Sequence, residues 1–320
     1  MKALKFVPDD INIDFIGKRF IAYVFSSVLM VVSILFMFIN GLNFGIDFTG
    51  GTLIEIRTEK SDPNIEDIRK DLNRLDIGTV SIQEFGQAND LLIRVPQQDA
   101  DTREERAEAQ NTAINNVKAN LTERFGEEGV TYRRIEYVGP QIGEELKFSG
   151  LISILLALGG ILLYVTTRFE LPFGIAALVA LFHDAVATLG LFALTQMEFN
   201  LSTVAALLMI AGYSINDTVV VFDRIRENLR KYKKTPLPEL FNFSVNRTLS
   251  RTLMTSVTTL IALLALWIFG GEVIRGFINA LLFGVLIGTY SSIFVASPVL
   301  MLMNINRSPG EAEESANQET

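Results

Sequence analysis

One acidic side chain, Asp217, lies where a lipid bilayer would make its charge costly. An apolar segment that begins near Asn200 ends at Phe222, and the chain is highly charged from Asp223 onward. Asp217 is therefore on the apolar side of this boundary. Holding a charged side chain inside a bilayer costs about 2.5–3.5 kcal/mol even on lenient insertion scales. We expect this carboxylate to be neutralised or paired, which makes it a candidate for reversible protonation.

A second acid, Asp184, follows the single histidine of the chain, His183, in the middle of another apolar segment. Ionisable groups at such positions are functional candidates by default, so the pair suggests proton handling. Successive residues of a helix point about 100° apart, however, and the two side chains need not act together. The alternative interpretation is a hydrogen bond to a neighbouring helix that only fixes packing, and both interpretations remain open.

Arg251 is the cation expected to reach Asp217. It lies at the start of the apolar segment that follows a basic stretch, so two antiparallel helices would place Arg251 and Asp217 at one depth. A guanidinium favours the ionised form of a carboxylate, and its withdrawal favours the protonated form. The same helix carries a stripe of hydroxyl groups, which would either line a water wire or bond back to the helix backbone. Its members are Thr248, Thr252, Thr255 and Thr259.

The elements that hold these residues are predicted to be membrane-spanning helices. The chain has 320 residues, of which 49% are hydrophobic. A bilayer core of ~30 Å needs about 20 apolar residues in a helix. The sequence contains no cysteine, so disulfide and thiolate chemistry are excluded. Six apolar blocks meet or approach the required length, at 20–40, 149–167, 171–195, 199–222, 252–270 and 276–304.

The distribution of charge separates a polar domain from these helices and orients them. Residues 41–148 carry 21 acidic and 13 basic side chains, whereas the rest of the chain carries 15 of each. With six spans, 14 of those 15 basic side chains fall on one side of the membrane and only Arg275 falls on the other. The positive-inside rule assigns the first side to the cytoplasm. Both termini are then expected in the cytoplasm, and residues 41–148 outside.

The polar domain shows the pattern of a small α+β fold. The order of predicted elements, β-α-β-β-α-β, is that of a ferredoxin-like domain. The glycine-rich run 44–52 lacks the lysine and the following helix of a phosphate-binding loop, so we interpret it as a tight entry into the first strand. Residue patterns predict strands at 52–57, 80–85, 91–95 and 130–138, and helices at 64–75 and 100–125.

This domain carries no recognisable catalytic site. Its carboxylates are scattered over helix faces, and it has no histidine to pair with them. We therefore expect the protein not to be an enzyme, and we expect no metal, cofactor or nucleic acid to bind.

Three polar segments connect or flank these parts. Gly139, Pro140 and Gly143 predict a shaped linker or hinge before the second span. The basic stretch 223–251 predicts a cytoplasmic loop with a surface helix near 237–245, which would touch anionic lipid or a partner. The amphipathic N-terminal tail either lies on the membrane surface or is a plain cytoplasmic tail. The expected domains are a tail at 1–19, a first span at 20–40, the outer domain at 41–148, a five-helix domain at 149–304 and a tail at 305–320.

Five motifs, in this order along the chain, resemble the SecD/SecF family and its SecF branch in particular. The resemblance covers about residues 20–304. The motifs are FGIDFTGG at 44–51, VGP at 138–140, HD at 183–184, the run 212–228 that begins GYSIND, and TLSRT at 248–252.

This resemblance implies a subunit of bacterial protein export in the inner membrane. It implies SecD as a partner, association with the SecYEG channel and often YajC, and preproteins as the cargo in the periplasm. It also implies that inward proton flow, as in the RND superfamily, moves the periplasmic domain, with Asp217 and Arg251 on the SecF side of the proton path. Further candidates for a proton or packing role are His183, Asp184, Asn216 and Thr255.

Two other functions remain open at this point. One is an RND-type exporter of small molecules or lipids driven by protons. The other is a passive scaffold that only stabilises its partner.

Overall fold

The computed structural model describes residues 12–59, 63–271, 274–303 and 305. Within them, six elements are long and apolar enough to cross a membrane, as the sequence predicts. The sixth is a helix interrupted by a short π-helical segment, which we call the π-turn. In chain order the elements are α1 (Arg19–Ile39), α2 (Ile46–Thr49), β1 (Gly51–Thr58), α3 (Ile65–Asn73), β2 (Ser81–Phe85), β3 (Gln87–Val95), α4 (Arg103–Phe125), β4 (Val130–Val138), α5 (Pro140–Arg168), α6 (Leu171–Thr195), α7 (Leu201–Lys231), α8 (Leu237–Phe269), α9 (Arg275–Ser291), the π-turn (Ser292–Ala296) and α10 (Ser297–Leu302).

The polar domain is a four-stranded sheet with its two longer helices packed against it. The strand order is β2-β3-β1-β4, and all neighbouring strands are antiparallel. Its core lies between the sheet and α3 and α4, and includes Ile54, Ile93, Leu72 and Leu121, each fully buried. The β-α-β-β-α-β order of elements is the predicted one. Helix α4 starts with a capping box, in which Thr102 and Glu105 satisfy each other's backbone N–H groups.

The glycine-rich run before β1 forms a tight entry into that strand. After the single turn of α2, Gly50 and Gly51 adopt φ angles of 71° and 109°, which disfavour any residue with a Cβ. A Cβ at Gly51 would also lie 2.6 Å from the carbonyl oxygen of Val95 on the neighbouring strand. Both glycines are therefore required by the backbone path.

Helix α2 fastens the sheet domain to the long helices. The backbone N–H of Leu201 donates to Asp47 Oδ2 at 2.8 Å, and the Phe48 ring stacks on Phe199. From the sheet itself, Arg94 pairs with Glu198 at 2.7 Å. The loop before α7 therefore holds both the entry to β1 and one face of the sheet.

The predicted linker before the second span is helical. Helix α5 begins at Pro140, with Gly139 as its N-cap, and runs without a break to Arg168. Proline at the first helical position is favourable, because its missing N–H would have no partner there. Gly143 lies inside the helix, and a Cβ on it would come within 3.1 Å of the Phe48 carbonyl oxygen. Of the three predicted hinge residues, only Gly139 precedes the helix.

The predicted cytoplasmic loop 223–251 is also mostly helical, and this part of the prediction is wrong. Helix α7 continues to Lys231 and α8 begins at Leu237, so only residues 232–236 join them. The expected separate surface helix is the first part of α8. Apolar side chains inside the basic sequence explain this, since Ile225 on α7 and Phe241 on α8 are fully buried in one cluster.

The end of the N-terminal tail packs against this α7–α8 hairpin. Phe15 and Ile16 are buried in its apolar cluster. The backbone N–H groups of Ile13 and Ile16 donate to the side-chain oxygens of Asn246 and Asn242 at 2.9 and 2.8 Å. Residues 12–18 therefore follow neither predicted arrangement, while residues 1–11 lie outside the described part of the chain.

Helix α6 is the centre of the bundle. It contacts α1, α5, α7, α9, the π-turn and α10, whereas α1, α5 and α8 leave most of their apolar surface exposed. Close approach to α6 depends on small residues: a Cβ at Gly190 would lie 2.2 Å from the Ser33 hydroxyl of α1. This arrangement buries His183 and Asp184 in the middle of α6, while Phe182 beside them is 57% exposed on the outer face of the helix.

Candidate functional site

Asp217 lies where three elements meet. Its Oδ1 accepts a hydrogen bond from the Thr252 hydroxyl of α8 at 2.5 Å, and its Oδ2 accepts one from the Ser292 hydroxyl of the π-turn at 2.5 Å. The side chain is partly exposed. We call Asp217 with Thr252 and Ser292 the outer acid centre. Hydroxyl groups can donate to a carboxylate and rotate to accept from a carboxylic acid, so both protonation states of Asp217 can be hydrogen-bonded here.

Arg251 is near this centre but does not contact the acid. It lies on the exposed side of α8, and its positive charge acts on Asp217 from a distance. Among the described residues, no ion pair joins the two side chains. Antiparallel packing does bring α8 to the depth of Asp217, but it is Thr252, the next residue, that faces the acid. The expected direct partnership is therefore replaced by a hydroxyl contact and a longer-range charge.

Asp184 forms a second centre in the interior of the bundle. His183 and Asp184 are only 4% and 1% exposed, and His183 Nδ1 lies 3.1 Å from Asp184 Oδ1. Asp184 Oδ2 accepts hydrogen bonds from the hydroxyls of Ser214 on α7 and Ser291 on α9, at 2.6 and 2.7 Å. We call these four residues the inner acid centre. The side chains of the adjacent histidine and aspartate contact each other, and Asp184 also makes hydrogen bonds to two neighbouring helices, as the packing interpretation expects.

Two consecutive serines connect the centres. Ser291 is the last residue of α9 and binds the inner acid, while Ser292 is the first residue of the π-turn and binds the outer acid. In a regular helix, neighbouring side chains diverge by about 100°, so they reach acids on different helices. A π-turn in a helix is rare and frequently occurs at functional sites. Any change in the winding of this segment would move both hydroxyls.

Most of the predicted hydroxyl stripe on α8 bonds to its own helix. Thr248, Thr255 and Thr259 each donate to a backbone carbonyl one turn earlier, which is the ordinary behaviour of threonine in such helices. Only Thr252 turns to another helix. Thr255 and Asn216 are both exposed on the surface of the bundle, away from the direct contacts of Asp217.

Glycines on α9 permit the close contact of helices that both centres need. A Cβ at Gly288 would lie 3.1 Å from the Ser214 Cβ and 3.6 Å from Asp184 Oδ2. A Cβ at Gly284, one turn earlier, would lie 2.3 Å from an Ile210 carbon of α7. Helices α7 and α9 can therefore approach each other only without a side chain at these positions.

Of the hydroxyl groups that bind the two acids, the sequence pattern singled out only Thr252, as part of the stripe on α8. It did not indicate Ser214, Ser291 or Ser292 as partners of an acid. The sequence does contain an indication of this role, since each of these serines lies within an apolar segment at the depth of an acid on a neighbouring helix. That signal is weak because serine and threonine in apolar helices usually bond to their own backbone.

The chain belongs to the SecD/SecF family. Residues 117–306 match the family described as protein export membrane protein SecD/SecF, C-terminal, and residues 35–62 match the SecD/SecF GG motif. The second match covers the glycines that form the entry into β1. The first covers both acid centres.

Curated relatives agree with this assignment. The protein translocase subunit SecF of Magnetococcus marinus is 49% identical over 307 residues, which cover 96% of this chain and 97% of that protein. The protein of the same name from Rickettsia bellii is 43% identical over 300 residues, or 93% of this chain and 96% of that protein.

Solved structures of SecDF share the fold. The crystal structure of SecDF from Thermus thermophilus, described as a translocon-associated membrane protein, is 38% identical with a TM-score of 0.79. The match covers 91% of this chain and 38% of that longer chain. A second SecDF structure, in a super-membrane-facing form, is 36% identical with a TM-score of 0.65, and the match covers 97% of this chain and 40% of that one.

Proposed function

We propose that this chain is the SecF-type subunit of the bacterial Sec preprotein translocase. In this role it works with SecD and uses the proton motive force to drive or complete protein export across the inner membrane. The names of its curated relatives support the translocase assignment. The proton-driven step is supported by the side chains of the outer acid centre.

The observation that carries this proposal is the environment of Asp217. Its carboxyl group lies among membrane-spanning helices, is partly exposed, and is held by two neutral hydroxyls. Arg251 adds a positive charge nearby without locking the acid in an ion pair. Such a carboxyl group can take up and release a proton as the distance to the arginine changes. When Asp217 gains or loses a proton, its hydrogen bonds with Thr252 and Ser292 would change, and α8 and the π-turn would shift in response.

The exposed side of this centre is suited to SecD. Asn216 and Arg251 are exposed on apolar helices, and Gly212 has open space where its side chain would be. Polar groups and small residues on a membrane-spanning surface are typical of contacts between helices, because lipid offers polar groups no partner. We infer that helices of SecD cover this surface and complete the proton path there.

The orientation follows from the basic residues. The positive-inside rule places both termini and the 232–236 turn in the cytoplasm, and the sheet domain with Arg275 in the periplasm. We interpret that sheet domain, by its element order and strand order, as ferredoxin-like. In the periplasm it would meet preproteins that leave the SecYEG channel, with YajC as a further associated subunit.

Movement would pass from the helices to the sheet domain through rigid contacts. Helix α5 is continuous from Pro140, and α2 is fixed to the loop before α7 by the Asp47–Leu201 hydrogen bond. The sheet is tied to the same loop by Arg94 and Glu198. A shift of α7 relative to α5 would therefore tilt the domain, with Gly139 as the remaining candidate hinge. Gly139 adopts an extended conformation and a Cβ there would meet only the Tyr137 hydroxyl, at 3.9 Å.

The proposal is tested by proton-driven export into inverted membrane vesicles that contain this chain, SecD and SecYEG. Nucleotide is removed after translocation has begun, and a proton gradient is then applied. We expect Asp217→Asn to abolish completion of export at wild-type protein levels, because the amide cannot exchange a proton. Asp223→Asn is the matched control, since Asp223 lies on the same helix but is exposed and pairs with Arg168.

Three results would count against the proposal. Equal export by wild type and Asp217→Asn would remove the acid from the coupling path. Loss of activity in proportion to lost protein would favour a passive scaffold. Proton-driven release of a small molecule or lipid from vesicles without SecYEG would favour the RND-type exporter.

A further inference from the structure

The inner acid centre contains a basic atom without a protein partner. His183 Nε2 is fully buried and makes no hydrogen bond within the described part of the chain. The other ring nitrogen, Nδ1, faces Asp184 Oδ1 at 3.1 Å. Asp184 Oδ2 already accepts two hydroxyl hydrogen bonds. Both oxygens of Asp184 therefore have polar neighbours, whereas the buried Nε2 atom of His183 has no hydrogen-bond partner within the described part of the chain.

With Asp184 ionised, its contact with Nδ1 selects the tautomer of the neutral ring. A carboxylate can only accept, so Nδ1 must carry the hydrogen, and Nε2 is then a bare lone pair. In a buried site, an acceptor without a hydrogen-bond partner is tolerated more often than a donor without one. A carboxylate behind one nitrogen also stabilises the imidazolium that forms when the other nitrogen takes up a proton.

The surroundings offer no alternative cation to Asp184. Apart from His183 and Asp184, residues 171–195 of α6 contain no charged side chain, and neither do 20–39 of α1, 148–167 of α5 or 276–302 of the sixth span. Residues 201–222 of α7 contain only Asp217. The remaining titratable groups on these elements are four tyrosines. Tyr290 lies beside the His183 ring, with 6.1 Å between the ring centroids, and its hydroxyl bonds to Ser26 and to the Ala22 carbonyl. The other three are Tyr23, Tyr164 and Tyr213.

We propose that His183 Nε2 is a second proton-binding site, distinct from Asp217, with Asp184 as its positioning residue. The incoming proton adds to the nitrogen lone pair and no bond is broken. The His183–Asp184 pair then changes from a net charge of −1 to zero. Because a buried net charge is costly, proton uptake lowers the cost of burying this pair.

Ser291 and Ser292 link this site to the outer acid centre. Ser291 binds Asp184 and Ser292 binds Asp217, so a movement of the π-turn that frees one acid also disturbs the other. Protons at the two sites are therefore expected to influence each other. This use in proton flow rests on the proposed function, whereas proton binding at Nε2 does not.

The test uses the fact that the chain contains one histidine. The full chain, purified through a histidine-free affinity tag and labelled with 15N-histidine, is reconstituted into liposomes with unlabelled SecD. Solid-state NMR then reports one imidazole ring from about pH 5 to 8.5, where an ordinary histidine titrates. We expect the Nδ1–H tautomer with a bare Nε2 at the alkaline end and an imidazolium at the acid end.

Two spectra of the wild type would overturn the proposal. One is a ring with its hydrogen on Nε2, which would mean that a protonated Asp184 donates to Nδ1. The other is a ring whose protonation state stays constant over the whole range. Neither result depends on export, so a failure here is distinct from a failure of the proposed function.

Two serine variants test the role of Asp184. Ser291→Ala removes a hydrogen bond to the Asp184 carboxylate, while Ser153→Ala, the matched control, removes an exposed hydroxyl of α5 that donates to its own helix backbone. We expect only Ser291→Ala to change the chemical shifts of the neutral ring. Asp184→Asn should change the same chemical shifts, because the carboxylate that accepts from Nδ1–H is lost. Equal effects of both serine variants, or an Asp184→Asn ring identical to that of the wild type, would contradict the assignment.

Discussion

Asp217 and Asp184 accept hydrogen bonds of the same kind but lie in different surroundings. Each carboxyl group binds hydroxyls from two neighbouring elements at 2.5–2.7 Å. Asp217 is partly exposed and has a distant arginine, whereas Asp184 is 1% exposed and has an adjacent histidine. The comparison indicates that burial within this chain, and not the type of hydrogen-bond donor, distinguishes the two acids.

A third carboxylate shows how the chain stabilises a permanent charge. Asp90, on β3 of the sheet domain, is bound by Arg57 at 2.6 and 2.7 Å and by Arg133 at 3.2 Å. The hydrogen bonds from Arg57 hold the pKa of Asp90 below its ordinary value. Two guanidinium groups therefore keep Asp90 ionised, while neither membrane acid has a direct cationic partner of this kind. That contrast is the basis of the predictions below.

Among the three substitutions that follow, removal of one hydroxyl from the outer acid centre is expected to have the largest effect. Thr252→Val should slow proton-driven export about tenfold, because a hydrogen bond to a charged group is worth about 1.5–3 kcal/mol. Thr255→Val is the matched control, since Thr255 is exposed one turn away and donates to the Arg251 carbonyl. The vesicle assay at equal protein levels measures both. Similar rates for the two variants would show that the contact with Asp217 is not used.

Insertion of a methyl group between α7 and α9 should push these helices apart and so affect both acid centres. Gly284→Ala places a Cβ 2.3 Å from Ile210, so we expect a loss of about 1–3 kcal/mol and a lower Tm. Gly276→Ala, on the same helix with open space around it, is the control. Thermal unfolding of the full chain in detergent is the measurement. An unchanged Tm for Gly284→Ala would mean that the helices separate at no cost, and that the two centres are not held by this contact.

The smallest effect concerns Asp90, whose role is structural. Its pKa is lowered on folding, so its stabilising contribution is present above the unfolded value of about 3.9 and is lost as the pH falls through the lower folded value. Wild type should therefore exceed Asp90→Asn in stability of the sheet domain at neutral pH. The difference should begin to shrink below about pH 4 and should disappear only below the folded pKa of Asp90. Hydrogen exchange of β1 and β3 against pH measures this, and a constant difference would contradict the pairing.

The long apolar helices could be predicted because the bilayer imposes a simple length rule. The start of α6 at Leu171, and the starts of β1, β2 and β4 to within one residue, followed from proline, glycine and residue alternation. The predicted start of β3 at residue 91 is wrong, because the strand already begins at Gln87 in residues that resemble a turn. The charged part of α7 was predicted as a loop because its buried face, with Ile225 and Leu229, is narrow and lies among basic residues. Burial of Phe15 and Ile16 was missed for a related reason, since an amphipathic tail packs equally well against lipid or protein.

In the candidate site, the two acids could be predicted, but most of the hydroxyl groups that donate to them could not. A carboxylate in an apolar segment is conspicuous, whereas Ser214, Ser291 and Ser292 are common residues whose partners depend on how the helices are rotated. The π-turn has no glycine, and the only nearby proline, Pro298, follows it. Its functional interest follows from the structure, where Ser292 at its start binds Asp217 and the preceding Ser291 of α9 binds Asp184.

The central claim, that Asp217 is the membrane acid that exchanges protons, is tested most directly by infrared difference spectroscopy. The reconstituted chain with SecD is taken between about pH 8 and pH 5.5, a range in which ordinary carboxyl groups remain ionised. We predict a protonated-carboxyl band that appears on acidification in the wild type and in Asp184→Asn, and that is absent from Asp217→Asn. A band that persists in Asp217→Asn, or that is lost only in Asp184→Asn, would contradict the account.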